Sequence, residues 1–212
     1  MVLSGIDENE ATVKLLRSLL QERISVSADS ELKGVTIVDR LPSIIFVCGE
    51  TGSGKTTIAT AIKNLGYSYI SVSDTMREMS SKPLKNRSEL IDYGKELLSN
   101  DGGGELGDAL RQKILASERS VIDGLRLPGV LQSLLGTFGV KAKVVYVVID
   151  RDVQNERIKI ELAAEENLGA LTLQAVRASD KTFRVAEICE QADLILSGSG
   201  DPKTAVKRLS TI

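Results

Sequence analysis

Apolar positions along this chain alternate between two periods. Short contiguous runs rich in β-branched residues read as buried strands at 43–48, 67–72, 119–123, 143–149 and 193–196. Between them, apolar residues recur every three or four positions. That spacing predicts helices over 55–64, 75–81, 86–99, 105–117, 129–138, 152–165, 173–191 and 202–209. Ile58, Ala59, Ala61, Ile62 and Leu65 form the inner stripe of the first of these, and Gly66 supplies its stop. Thr75 and Glu78 spell a capping box for the second, and Asp201-Pro202 opens the last with a cap residue followed by Pro at the first helical position. Ahead of this alternation, Val13, Leu15, Leu16, Leu19 and Leu20 predict a helix within 8–24, and 34–38 reads as a short strand. Gly102-Gly103-Gly104 is a loop or hinge, and no internal repeat is visible. Short strands alternating with helices imply an α/β fold: a five-stranded parallel sheet with helices on both faces, preceded by an N-terminal helical extension over 1–42.

Composition narrows the function classes. The 212 residues suit one domain with a large core, and a net charge of −2 argues against broad electrostatic binding to nucleic acid. No apolar run reaches membrane-spanning length and no signal peptide pattern opens the chain, so the cytoplasm is the expected compartment. The two cysteines, Cys48 and Cys189, read as reduced, buried thiols. The chain has no histidine, so any base catalysis must come from a carboxylate.

The strongest chemical signal is Gly49-Glu50-Thr51-Gly52-Ser53-Gly54-Lys55-Thr56, followed by Thr57. It matches the phosphate-binding pattern G-x-x-x-x-G-K-[ST] between a predicted strand and a predicted helix. Glycines let backbone N–H groups turn inward around a phosphate, and the helix N-terminus adds its positive end. Lys55 is then the residue that reaches the β- and γ-phosphates, and the Thr56 hydroxyl is a Mg²⁺ ligand. Asp123 ends the third strand in Val121-Ile122-Asp123-Gly124, where a second magnesium contact belongs; the bland alternative is a turn cap. Asp74 follows the second strand and either caps a helix or faces the ligand crevice, with Arg77 in the same first turn. Arg126, three residues beyond Asp123, offers a planar fork to a phosphate or is a solvated surface residue. Lys85, Arg87, Arg151, Arg157, Arg177 and Lys181 form a further basic group, with Arg157 the chosen lid cation. Tyr67, Tyr69, Tyr93 and Phe138 are the stacking candidates.

Gly49–Thr57, the stretch Ile70-Ser71-Val72-Ser73-Asp74-Thr75-Met76-Arg77-Glu78, and Val121-Ile122-Asp123-Gly124-Leu125-Arg126-Leu127-Pro128 resemble the nucleoside monophosphate kinase group of P-loop proteins. The dephospho-CoA-kinase-like branch, with its uncharacterised archaeal-type nucleotide kinases, is the part of the group most like this chain; Ala192-Asp193-Leu194-Ile195-Leu196 is similar to its last strand. The resemblance covers about residues 43–210. It implies a P-loop kinase domain over 43–212, with an acceptor-binding insertion at about 75–118 and a lid at about 151–181. It also implies ATP and Mg²⁺ as cofactors, Arg77 and Arg126 on the acceptor's phosphate, and Lys55, Asp74, Asp123 and Arg157 in catalysis. Two departures stand out. Arg157 is followed by Ile158-Lys159-Ile160-Glu161 where paired arginines are usual, and 1–42 has no counterpart in a minimal kinase. The expected activity is phosphoryl transfer to a small phosphorylated nucleotide-type acceptor: a nucleoside or deoxynucleoside monophosphate, or dephospho-CoA. A regulatory ATPase or a nucleotide-binding module is the alternative. A guanine-type Asn/Thr-Lys-x-Asp signature is absent. The sequence leaves open whether the chain is a monomer or a homodimer.

Overall fold

The computed structural model describes residues 41–164 and 172–212. The predicted helix within 8–24, the strand at 34–38 and residues 165–171 of the expected lid lie outside the described residues. Five parallel strands form one sheet in the order β2-β3-β1-β4-β5: β1 Ile44–Cys48, β2 Ser68–Ser71, β3 Ser120–Asp123, β4 Ala142–Val148 and β5 Leu194–Ser197. The helices are α1 Lys55–Lys63, α2 Val72–Met79, α3 Arg87–Asp101, α4 Gly104–Leu115, α5 Pro128–Phe138, α6 Arg151–Ala164, α7 Leu173–Thr182 and α8 Pro202–Leu209.

The central strand shows why the sheet is covered twice. Its five residues are all buried, and successive side chains point to opposite faces. Ile44, Phe46 and Cys48 join a core with α2, α3, α4 and α5, whereas Ile45 and Val47 join a second core with α1 and α8. A strand with helices on both faces has no polar face to present, hence its unbroken apolar run. Register then aligns the carboxyl ends: Asp123 lies opposite Val47 of β1 and opposite Ser71 of β2. Every connection that follows a strand therefore opens on one edge of the sheet, the place where such folds bind ligands.

Two local expectations are corrected. The single helix predicted over 173–191 is interrupted: α7 ends at Thr182 and a 3-10 helix runs over Val185–Gln191. Arg184 stands between them with φ 57°, a left-handed conformation uncommon outside glycine. The turn drives Val185 and Ile188 into the core, which helical spacing alone cannot signal. The helix predicted over 75–81 starts earlier, at Val72, because β2 hands directly into it. Its cap is Ser71, whose Oγ accepts from the Asp74 N–H at 3.1 Å. The expected capping box is not formed: the Thr75 hydroxyl donates to Ser71 O and Glu78 pairs with Lys113.

Candidate nucleotide and acceptor site

The phosphate loop joins β1 to α1 and is braced from two sides. Gly54 caps α1 at φ 95°, with no side-chain cap bond, so the first-turn N–H groups remain for a ligand. From α6, the buried Gln154 amide donates to Thr51 O at 2.8 Å and to Glu50 Oε2 at 3.1 Å. Arg157, one turn later, directs both terminal nitrogens to the Gly198 carbonyl at 3.2 Å. Gly198 follows β5 and lies so close to the loop that a Cβ there would sit 1.7 Å from Ser53 O. Glycine is therefore required by approach rather than by backbone angle.

Lys55 is buried, and its ammonium donates to Glu50 O at 2.7 Å. Burial, reinforced by the nearby Arg126 charge, pushes its pKa down to about 8, with Asp180 and Asp123 opposing. On the other side, one carboxylate oxygen of Asp123 accepts from Thr56 Oγ1 at 2.8 Å and from the Tyr69 hydroxyl at 2.7 Å. Burial, with the bond to Asp123 next, pushes the Tyr69 phenol up. The second Asp123 oxygen is buried and has no hydrogen-bond partner among the described residues. A buried orphan carboxylate oxygen beside a threonine hydroxyl suits Mg²⁺, which takes one or two protein ligands and completes its shell with water and phosphate. No cluster of three or more acidic or thiol side chains competes as a metal cage among the described residues. Cys48 beneath the loop is inert, its thiol pushed up to about 12 by burial, and both cysteines are free.

A cavity of about 110 Å³ lies between α2, α3 and the segment after β3. Met76, Ile91, Leu106, Leu127 and Phe183 give it apolar walls, and Arg87 and Arg126 give it charge. Arg87 pairs with Glu161 of α6 at 2.9 Å through one terminal nitrogen; its other is buried without a partner among the described residues. Arg126 pairs with Asp180 of α7 at 3.2 Å. Asp180 is 6% exposed and also accepts from the Thr51 N–H at 2.9 Å and the Thr51 hydroxyl at 3.1 Å.

Lys55, Thr56, Asp123, Arg126 and Arg157 thus gather around one loop. Asp74 and Arg77 lie on α2, just past β2, and the charge of Asp74 helps raise the Tyr69 phenol that bonds Asp123. They form an exposed pair at 2.8 Å, Arg77 also donates to Leu84 O, and neither lines the cavity. Among the stacking candidates, Tyr67 is buried in the core with its hydroxyl on Pro42 O. Phe138 ends α5 just before β4 begins, at the opposite edge of the sheet. Gln154, Glu161, Asp180, Phe183 and Gly198 were missed by sequence reasoning. One signal existed: Val176, Asp180 and Phe183 share a helical stripe, and an acid on an otherwise apolar stripe is a buried acid. Among the described residues, no helix is long and apolar enough to cross a membrane.

Comparison with known proteins agrees with this fold. A UPF0200 protein of Pyrobaculum aerophilum is 26% identical over 162 residues, covering 73% of this chain and 86% of that protein. A gluconokinase from Sinorhizobium meliloti superposes with a TM-score of 0.53 at 17% identity, covering 81% of this chain and 91% of the other. Shikimate kinase from Aquifex aeolicus does so with a TM-score of 0.50 at 19% identity, covering 79% and 95%. At such identities the likeness establishes the P-loop kinase fold. The family model described as an AAA domain matches residues 48–169, from the end of β1 through α6. That stretch is more than half of the sequence and holds the whole phosphate loop, so this chain belongs to the AAA domain family.

Proposed function

We propose that this chain is an ATP- and Mg²⁺-dependent phosphotransferase acting on a small, anion-bearing acceptor of nucleotide type, such as a nucleoside or deoxynucleoside monophosphate or dephospho-CoA. One observation carries the reading. Arg126 lines the cavity while its charge acts on Lys55, which supports reading the cavity as an acceptor pocket served by the phosphate loop. In this reading the loop N–H groups and Lys55 hold the β- and γ-phosphates, and Thr56 and Asp123 hold Mg²⁺, which neutralises charge on the phosphates. Arg157, beside Gly54, steadies the leaving nucleotide. Arg126 and the unpartnered nitrogen of Arg87 receive the acceptor's anion. The free, buried Cys48 fits a reducing compartment, the cytoplasm.

Radiolabelled ATP, Mg²⁺ and a panel of acceptors test the proposal. Shikimate and gluconate belong in the panel because the two solved neighbours are kinases of those acids by name. Label should move to an acceptor, and Lys55→Ala should abolish the transfer while the protein stays folded. Release of inorganic phosphate with every acceptor would favour an ATPase, and binding without turnover a nucleotide-binding module. Parental turnover by a folded Lys55→Ala protein would refute the proposal.

A further inference from the structure

The two oxygens of the Asp123 carboxylate are used unequally. Thr56 Oγ1 donates to Oδ2 at 2.8 Å, and the Tyr69 hydroxyl donates to the same atom at 2.7 Å. Oδ1 is buried and has no hydrogen-bond partner among the described residues. Each oxygen of an ionised carboxylate has about two acceptor positions, so these two donors fill Oδ2 and leave Oδ1 whole. The fold places Tyr69 for this contact. In β2 it lies opposite Val121 of β3, and strand alternation puts Val121 and Asp123 on one face of the sheet, the face that α1 covers. Tyr69 is half-buried against that core, and the Lys63 ammonium of α1 lies 5.5 Å from its ring centroid. Core and helix hold the ring, and the hydroxyl reaches the carboxylate.

Resting on the assignment of Thr56 and Asp123 to Mg²⁺ in the phosphotransferase reading, we infer that Tyr69 is a positioning residue that sets cation selectivity. It reserves Oδ2 for hydrogen bonds, so the dication, or a water of its shell, meets Asp123 through Oδ1 alone. Mg²⁺ demands near-octahedral geometry and is satisfied by single oxygens together with water and phosphate. Ca²⁺ is larger, takes about six to eight oxygens and readily uses both oxygens of one carboxylate. A carboxylate with one oxygen already filled cannot bind that way without losing hydrogen bonds. The Thr56 bond is compatible with ligation by Thr56, because a hydroxyl that donates its proton keeps its lone pairs. Loss of the Tyr69 hydroxyl frees a position on Oδ2 and lets the carboxylate turn. That weakens the site for Mg²⁺ and removes an obstacle to Ca²⁺. Partners that orient a metal ligand from behind act on metal affinity in this way.

Calorimetry on the full chain tests the inference. The parent and Tyr69→Phe, each with a substoichiometric amount of ADP, are titrated with Mg²⁺ and with Ca²⁺, and free ADP is titrated as the reference. The parent complex should prefer Mg²⁺ over Ca²⁺ more strongly than free ADP does. Tyr69→Phe should raise the Kd for Mg²⁺ about 10- to 100-fold. The ratio of the Ca²⁺ Kd to the Mg²⁺ Kd should fall at least tenfold, while the Kd for ADP in EDTA stays within threefold of the parent. A tyrosine that merely fills the core predicts a different result: both cations weaken by one factor, or neither does. A ratio that falls by less than tenfold overturns the inference. So does a parent preference equal to that of free ADP, a measurement that stands even if the variant fails to fold. Absence of cation binding to the parent complex removes the magnesium assignment and this inference together. Label transfer by the parent alongside an unchanged ratio in Tyr69→Phe overturns the inference and leaves the phosphotransferase reading standing.

Discussion

Lys55 makes nucleotide binding a proton-linked event. In the free protein its pKa is about 8, lowered first by burial and then by Arg126. A bound polyphosphate supplies the opposite charge and returns the pKa to the ordinary lysine range, near 10.4, or above it. Only the protonated lysine binds well, so affinity tracks its protonated fraction. That fraction falls from about nine-tenths at pH 7 to about one-tenth at pH 9 for a group titrating near 8. The Kd for ADP should therefore rise about tenfold over this interval, a loss of about 1.4 kcal/mol. Binding at pH 8 should take up about half a proton. Few other groups confuse the reading, because the chain has no histidine, both thiols are pushed up by burial and the phosphates of ADP are already ionised. Titration calorimetry in two buffers of different ionisation enthalpy measures both quantities. A Kd constant between pH 7 and 9 with no proton uptake would refute the assignment of Lys55 to the phosphate. The same shift has a stability sign. Between about 8 and 10.5 the unfolded chain holds a proton that the native chain has lost, so the ligand-free protein gains stability as pH rises through that window. Below it the full penalty applies, and Lys55→Met should melt at a higher temperature than the parent at pH 7.

Three further outcomes follow from the geometry. Asp123→Asn keeps an acceptor for Thr56 and Tyr69 but removes the charge beside the orphan oxygen; the magnesium concentration at half-maximal rate should rise at least tenfold, and overlaid titrations would make Asp123 a turn residue. Gly198→Ala forces its new methyl against Ser53 O, so the β5–α8 connection must retreat from the loop; calorimetry should show ADP binding weakened more than tenfold, and a parental Kd would show that this contact does not shape the nucleotide site. Arg126→Ala should raise the acceptor KM far more than that of ATP, whereas Arg77→Ala, which removes an exposed pair worth under about 1 kcal/mol and a bond to Leu84 O, should leave both within twofold; steady-state kinetics with each substrate varied separates these cases.

Some of this protein is written in local order along the chain. The run Ile44–Cys48, the glycines of the loop and the stripe Ile58, Ala59 and Ile62 are contiguous signals, and each specifies a backbone state where it stands. Their alternation then leaves a parallel sheet as the economical way to bury every strand, and that sheet is found. The places of Lys55, Thr56 and Asp123 were legible for the same reason: a loop between strand and helix, and the end of a buried strand, are positions defined by sequence pattern. Burial and pairing between distant residues are not. Asp180 reads as one more charge on a helix, yet it reaches Thr51, 129 residues away, and is buried there. Asp74 stands in a suggestive motif, and only the folded chain shows that it pairs with Arg77 and that its charge reaches Tyr69. The bend at Arg184, the approach of Gly198 to Ser53 and the pairing of Arg87 with Glu161 likewise arise from packing between elements far apart in sequence. Local propensity sets which elements form; which polar groups meet in a low-dielectric site depends on how those elements dock, and the chemistry resides in those meetings.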